Sequence, residues 1–120
     1  MENQDHSKGH RKSVRWIGGK EIVLDGQGFL GNPSMWSEEV AIILAKEAGI
    51  ECLSEKQWHI LRFIRRYYTE QGKSPLNQKI KIGTGLSLME IEAMFPGGVT
   101  HGARRLAGMP NNRDCAGGTR

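Results

Sequence analysis

The sequence predicts a mainly α protein: a small orthogonal helical bundle with a helix-turn-helix-like core, an N-terminal β-hairpin and a flexible C-terminal arm. Two observations support this fold class. Five segments show helical periodicity or helix-cap signals, and a Gly-Gly pair separates two short β-type runs near the N-terminus. With 120 residues, the chain is long enough for one domain with a modest core.

Three parts divide the chain. Residues 1–13 are polar and charged, with no apolar region of a secretory signal, and are expected to form a disordered tail. Residues 14–110 are expected to form the folded domain. Residues 111–120 are polar and Gly-rich and are expected to form a flexible arm that carries Cys115. No apolar run approaches the length of a membrane span, so a cytoplasmic protein without membrane contact is expected.

The N-terminal hairpin is predicted from two short runs over residues 14–17 and 21–24. They flank Gly18-Gly19, which is the two-residue signal for a tight turn. Asp25 and Gly28 lie in the segment that ends the hairpin. Phe29 follows them and is expected to pack onto the core.

Two longer helices are expected next. The first runs from about Ser37 to Ala48, with Ser37 or Ser34 as its N-cap and Gly49 as its C-cap. Its expected apolar stripe comprises Trp36, Val40, Ile43 and Leu44. The second has the clearest periodicity and begins with a capping box formed by Ser54 and Gln57. Its apolar residues recur on one helical face: Ile60, Leu61, Ile64, Tyr67 and Tyr68. Its opposite face carries His59, Arg62 and Arg66.

Three shorter helices complete the predicted bundle, over about residues 75–82, 87–95 and 100–107. Pro75 suits the first position of a helix, and Ser87 with Glu90 forms a second capping box. The last helix is expected to stop at Gly108, with Pro110 preventing its continuation.

Few residues offer chemistry. The four histidines share no ligand spacing with a cysteine pair, and no complete phosphate-binding Gly-rich motif is present, so neither a metal site nor a cofactor is expected. Cys52 lies beside the apolar Ile50 and Leu53 and is expected to be packed and inert. A disulfide between Cys52 and Cys115 is possible but not indicated. Cys115 is therefore the candidate for chemistry, although it could equally be an incidental tail cysteine.

Sulfur chemistry at Cys115 requires an accessible thiolate. Arg113 is its close cationic neighbour, and Arg104 and Arg105 lie in the preceding helix. These cations would favour the thiolate, whereas Asp114 opposes them. Such a thiolate attacks a persulfide, becomes a persulfide itself and is then attacked by the next thiolate.

Several short motifs occur in a consistent order between Ile22 and Cys115. They are Leu24-Asp25-x-x-Gly28-Phe29-Leu30, Leu53-Ser54-x-x-x-Trp58, Ile64-Arg65-x-Tyr67-Tyr68, Phe95-Pro96-Gly97-Gly98 and Leu106-Ala107-Gly108-Met109-Pro110. With the terminal cysteine they resemble the DsrC/TusE family of sulfur-trafficking proteins. The resemblance implies a persulfide carrier of the sulfurtransferase type with Cys115 as its catalytic residue. It also implies donor and acceptor proteins of Tus-type or Dsr-type complexes as partners, in tRNA thiolation or in dissimilatory sulfur metabolism.

Departures from the family pattern narrow this implication. The second cysteine of the sulfite-reductase partners maps on Arg104, so the chain resembles the single-cysteine relay type. The family's Lys-Pro approach to the cysteine is replaced by Asn111-Asn112-Arg113-Asp114, and five residues follow Cys115.

A DNA-binding regulator is the alternative interpretation, because residues 53–95 also resemble a helix-turn-helix. In that interpretation residues 87–95 form the recognition helix. This helix carries Glu90 and Glu92 and no Lys or Arg, which disfavours contact with phosphates. Contact with DNA or tRNA would then depend on the basic tails.

Overall fold

The computed structural model describes residues 12–110. Two strands, β1 (Ser13–Ile17) and β2 (Lys20–Leu24), are followed by helices α1 (Glu38–Glu47), α2 (Glu55–Gln71), α3 (Asn77–Thr84), α4 (Leu88–Met94) and α5 (Gly98–Arg104). A short 3-10 turn, Pro33–Met35, precedes α1. The predicted mainly α bundle with an N-terminal hairpin is confirmed. The expected tail over residues 1–11 and the expected arm over residues 111–120 lie outside the described residues.

The hairpin pairs its strands in antiparallel register, with Val14 opposite Val23. Gly18 and Gly19 form the turn with φ of +60° and +80°, as the Gly-Gly signal predicts. Each strand begins one residue earlier than expected, so Ser13 belongs to β1 and not to a disordered tail. One face of the sheet contributes buried aliphatic residues to the core: Ile17, Ile22 and Leu24.

The two longer helices have the predicted caps. The Ser37 side chain accepts from Val40 N at 3.2 Å and begins α1. Ser54 and Gln57 form both hydrogen bonds of the predicted capping box at the start of α2, at 2.7 and 3.1 Å. The continuous helix over 55–71 buries the predicted apolar residues Ile60, Leu61 and Ile64.

The shorter helices differ from their predicted bounds. α3 begins at Asn77 and not at Pro75, because Leu76 is extended and Pro75 O accepts from a side chain of α5. α4 has its predicted capping box, and Phe95 is extended before Pro96, as a residue preceding proline favours. α5 begins at Gly98, earlier than expected, and is a π-helix that continues into an α-helical turn at residues 105–106.

The hydrophobic core joins the hairpin and the helices α1, α2, α3, α4 and α5 into one cluster. The end of α5 lies within it, since Leu106, Ala107 and Met109 are all at most 1% exposed. The last described residues before the arm are therefore part of the core. No helix within residues 12–110 is long and apolar enough to span a membrane.

Candidate functional site at the base of the C-terminal arm

The described residues include the segment from which the arm with the candidate residue Cys115 begins, but not the arm itself. Cys115 and Arg113 lie outside the described residues, and their roles stay predictions. The description ends at Pro110, five residues before Cys115. We call residues 106–110 the arm base, because every path from the folded domain to Cys115 passes through them.

A left-handed glycine ends α5 and starts the arm base. Gly108 has φ of +81°, and its N–H donates to Arg105 O at 3.1 Å. The N–H of Met109 donates to Arg104 O at 3.1 Å, which completes the cap. A Cβ at position 108 would lie 2.5 Å from Trp36 Cδ1. Both backbone conformation and space thus require glycine here, and the predicted stop at Gly108 is confirmed.

Trp36 packs against this glycine and binds the preceding turn. Its Nε1–H donates to Leu106 O at 2.8 Å. Trp36 lies between the 3-10 turn and α1, so this bond ties the arm base to the segment that enters the first helix.

Arg65 of α2 binds the next carbonyl. Its Nη1–H donates to Ala107 O at 3.2 Å, and its guanidinium carbon lies 4.8 Å from the Trp36 ring centroid and 5.7 Å from that of Tyr68. Burial lowers the pKa of Arg65, and Tyr68 acts in the opposite direction. An arginine with this modest burial remains a cation at neutral pH.

Arg104 connects α5 to the loop between α2 and α3. Its Nη2–H donates to Pro75 O at 2.6 Å, and its Nε–H donates to Ser74 Oγ at 3.3 Å. Burial lowers the pKa of this guanidinium. The residue at the predicted second-cysteine position therefore holds two elements together.

Arg105 extends to another part of the molecule. Its Nε–H donates to His101 O at 2.8 Å, and a Cβ at Gly28 would lie 3.1 Å from its Nη1. Burial lowers the pKa of Arg105, and Glu47 acts in the opposite direction. The structure thus places Arg104 and Arg105 near the arm base but against different elements.

The arginines around the end of α5 share one property. Arg65, Arg104 and Arg105 each bind a backbone carbonyl, and none forms an ion pair with a carboxylate within residues 12–110. Cations near a helix C-terminus complement its dipole. Their positive charge is therefore retained close to the point where the chain leaves for Cys115.

Sequence reasoning missed the contacts of Trp36 and Arg65 with the arm base. Trp36 was expected only in the apolar stripe of α1, and Arg65 appeared only within a family motif. The one available signal was that Arg65 interrupts the buried side of α2 between Ile64 and Tyr68.

Cys52 is exposed, so the prediction that it is packed is wrong, whereas its inertness stays a prediction. Leu53 is buried and Ile50 is half-buried, while Cys52 lies in the bend between them and faces solvent. Because the chain bends here, the apolar residues next to Cys52 in the sequence do not indicate the direction of its side chain. Any test of Cys115 must therefore account for this second thiol.

Neither a metal site nor a DNA reader is apparent in the described part of the chain. Within residues 12–110, no group of three or more His, Cys, Asp and Glu could hold a metal ion. α4 carries Glu90 and the exposed Glu92 and lacks Lys and Arg, and the Glu90 carboxylate accepts from Ser87 N in the capping box of the helix.

Comparison with known proteins identifies the family. A family model described as "DsrC like protein" matches residues 16–116, which is most of the chain and includes Cys115. The chain belongs to the DsrC family. Sulfurtransferase TusE of Photorhabdus laumondii is 37% identical over 105 residues, covering 81% of this chain and 93% of the relative. Sulfurtransferase TusE of Escherichia coli is 33% identical over 104 residues, with 81% and 94% covered.

Solved structures of the DsrC family share the fold. The oxidised gamma subunit of dissimilatory sulfite reductase (DsrC) from Archaeoglobus fulgidus has a TM-score of 0.74 at 31% identity, covering 82% of this chain and 95% of that one. DsrC from Pyrobaculum aerophilum has a TM-score of 0.71 at 36% identity, covering 82% and 89%. These relatives support sulfur trafficking and give no support to the DNA-binding alternative or to tRNA contact.

Proposed function

We propose that this DsrC-family protein is a sulfur relay protein of the sulfurtransferase type that accepts and passes on persulfide sulfur at Cys115. The observation that carries the proposal is the family match, which extends through the terminal cysteine to residue 116. The TusE relatives, named sulfurtransferases, support the same reaction class.

The transfer needs no external oxidant or reductant. The Cys115 thiolate attacks the outer sulfur of a donor persulfide, R–S–SH. A new S–S bond forms at Cys115 while the S–S bond of the donor breaks, and the donor leaves as a thiolate, R–S⁻. The proton stays on the transferred sulfur. In the second half, an acceptor thiolate attacks that outer sulfur and Cys115 leaves as a thiolate.

The positive charge around the arm base supports this chemistry. Arg104 and Arg105 are cations that bind carbonyl oxygens and form no ion pair with a carboxylate within residues 12–110, and Arg113 lies two residues before the thiol. Cations close to a thiol lower its pKa and raise the thiolate fraction. Five residues separate Pro110 from Cys115, so the two Cα atoms lie at most roughly 18 Å apart.

Arg104 at the second-cysteine position favours a relay with a single thiol. A partly buried guanidinium bound to Pro75 O cannot form the disulfide that a cysteine there would form with Cys115. The partners are then a sulfur donor protein and an acceptor protein, of the Tus or the Dsr type, in the cytoplasm.

Intact-mass spectrometry tests the acceptance step. The protein is incubated with inorganic polysulfide, or with a cysteine desulfurase and L-cysteine, and weighed with and without reductant. We expect a gain of one or more sulfur atoms that the reductant removes. Cys115→Ser should abolish the gain and leave the circular dichroism spectrum unchanged, whereas Cys52→Ser should keep the gain.

Two results would contradict the proposal. One is an adduct that survives in Cys115→Ser and is lost in Cys52→Ser, which would place the chemistry on the exposed Cys52. The other is an intact Cys115 that gains no sulfur from either donor.

A further inference from the structure

We propose that Trp36 and Arg65, with Tyr68 stacked on Arg65, act as an exit clamp that fixes the direction in which the chain leaves the fold towards Cys115. The proposal adds positioning residues to the proposed function and rests on it for its biological consequence. Its structural content stands on the contacts of the arm base alone.

The exit clamp occupies carbonyls that a helix leaves without partners. The last four carbonyls of a helix have no intrahelical donor. At the end of α5, Leu106 O and Ala107 O accept from Trp36 Nε1 at 2.8 Å and from Arg65 Nη1 at 3.2 Å. Both donors come from other elements, so the last turn is tied to the α1 entry and to α2.

Stacking orders the guanidinium before it binds. Arg65 lies over the Trp36 ring at 4.8 Å and over the Tyr68 ring at 5.7 Å. A planar guanidinium held against aromatic faces loses little further freedom when it donates to a carbonyl. Gly108 permits the close approach, because any side chain there would displace Trp36.

Neighbouring arginines of α2 show that this contact is specific to Arg65. Arg62 stacks on Trp58 and pairs with Glu38, and Arg66 stacks on Phe63. Neither has a described contact with the arm base. Arg66 is therefore a matched control: it has the same residue type, helix and kind of stacking, but no bond to an α5 carbonyl.

Positioning matters for a carrier because transfer requires the two sulfur atoms to meet in line. If the chain leaves the domain in one fixed direction, the Cys115 thiol samples a smaller volume than it does when the exit direction varies. Misplacement of a reacting group lowers the rate of the step that depends on docked geometry. A small donor that diffuses freely does not depend on it.

Spin-label distances test the exit clamp directly. Labels are placed by Asn111→Cys, one residue past Pro110, and by Glu70→Cys on the exposed side of α2, in a chain carrying Cys52→Ser and Cys115→Ser. With the clamp intact we expect one narrow distance distribution. Arg65→Met should broaden and shift it, and Arg66→Met should leave it unchanged.

Two conservative variants separate positioning from general stability. Arg65→Lys keeps the charge and one donor but loses the stacked plane, so it should restore the distribution in part. Trp36→Phe keeps the ring and loses the bond to Leu106 O, so it should broaden the distribution less than Arg65→Met. These two variants carry the test if Arg65→Met lowers the helical circular dichroism signal.

The outcomes are distinguishable from those of the proposed function. Polysulfide loading of Cys115 should proceed at the same rate in the native chain and in Arg65→Met, because a small donor needs no positioned arm. If Cys115 of the native chain gains no sulfur, the proposed function is wrong, but the spin-label distance distributions still test the exit clamp. An equally broad distribution in the native labelled chain and in Arg65→Met, or equal broadening by Arg66→Met, would overturn the clamp.

Discussion

Two groups of arginines in this protein use their charge differently. On the outer surface, Arg15 pairs with Glu47 at 2.7 Å and Arg62 pairs with Glu38 at 3.0 Å. At the end of α5, three partly buried arginines bind carbonyl oxygens instead: Arg65, Arg104 and Arg105. The outer guanidiniums are paired with carboxylates and screened by solvent, whereas the inner guanidiniums lie beside the arm base without a carboxylate partner within residues 12–110.

Arginines in exposed ion pairs and arginines bound to carbonyls are expected to contribute differently to stability. Exposed ion pairs contribute little to the free energy of unfolding, since water and salt screen them. Removing the only donor to a buried carbonyl lowers the free energy of unfolding more, because nothing replaces the lost hydrogen bond. The arm-base arginines thus order the end of α5 and supply positive charge in the same place. Breaking each group separately should show the difference.

The largest expected effect is at the arm base itself. Gly108→Ala places a Cβ in a left-handed conformation, which costs about 1–2 kcal/mol, and against Trp36, where overpacking adds about 1–3 kcal/mol. Urea unfolding should show both losses in the free energy of unfolding. Gly49→Ala is the control, since Gly49 has φ of +95° but no atom within 4 Å of the added Cβ. An equal loss at the two positions would contradict the packing at Gly108.

Arg104→Met comes next. It leaves Pro75 O without its donor and should lower the free energy of unfolding by about 1–3 kcal/mol. Arg62→Met removes an exposed pair and should cost about 0–1 kcal/mol. Raising the salt concentration should shrink the smaller loss and leave the larger one nearly unchanged, because buried contacts are weakly screened. The account of Arg104 fails if its loss also disappears with salt.

Trp36→Phe should have an intermediate effect. It keeps an aromatic ring against Gly108 and removes the donor to Leu106 O, at a cost of about 0.5–1.5 kcal/mol for one hydrogen bond. Trp16→Phe is the natural comparison, because Trp16 is 71% exposed on the hairpin. The thermal midpoint of Trp16→Phe should match that of the native chain. An unchanged midpoint for Trp36→Phe would contradict a stabilising hydrogen bond from Trp36 to Leu106 O.

The smallest effect is expected at Glu47. Glu47→Gln removes the partner of Arg15, whose pKa Glu47 raises by hydrogen bonding and by charge. As both side chains are exposed, the free energy of unfolding should fall by about 0–1 kcal/mol at low salt. The difference from the native chain should vanish at high salt. A loss that persists at high salt would contradict the account, because it would show that this exposed pair is as weakly screened as the contacts of Arg104.

Local signals predicted most of the fold and little of the arm base. The capping boxes at Ser54 and Ser87 and the stop at Gly108 depend on residues close in sequence, and the structure has all three. Trp36 meets Leu106 across 70 residues and Arg65 meets Ala107 across 42. No periodicity or spacing reports such pairs, because they arise only when the helices pack.

The prediction errors have physical causes too. Pro75 suits a helix start, but its carbonyl is taken by Arg104 and Leu76 is extended, so α3 starts later. Residues 98–104 wind as a π-helix that begins two residues before the predicted start, and Gly102 in it lies too close to Phe95 for any side chain. The exposure of Cys52 was not predicted because a bend, unlike a helix, has no periodic face that the sequence pattern can assign.

Cys52 and Cys115 offer the most direct test of the central claim, that Cys115 is the sulfur carrier. The native chain is given less than one equivalent of polysulfide at neutral pH, and peptide mass mapping locates the transferred sulfur. Because three arginines lie around the base of the Cys115 arm, the account predicts that the sulfur lies on Cys115 and that an added acceptor thiol removes it. Sulfur shared equally with Cys52, or found mainly there, would contradict the account.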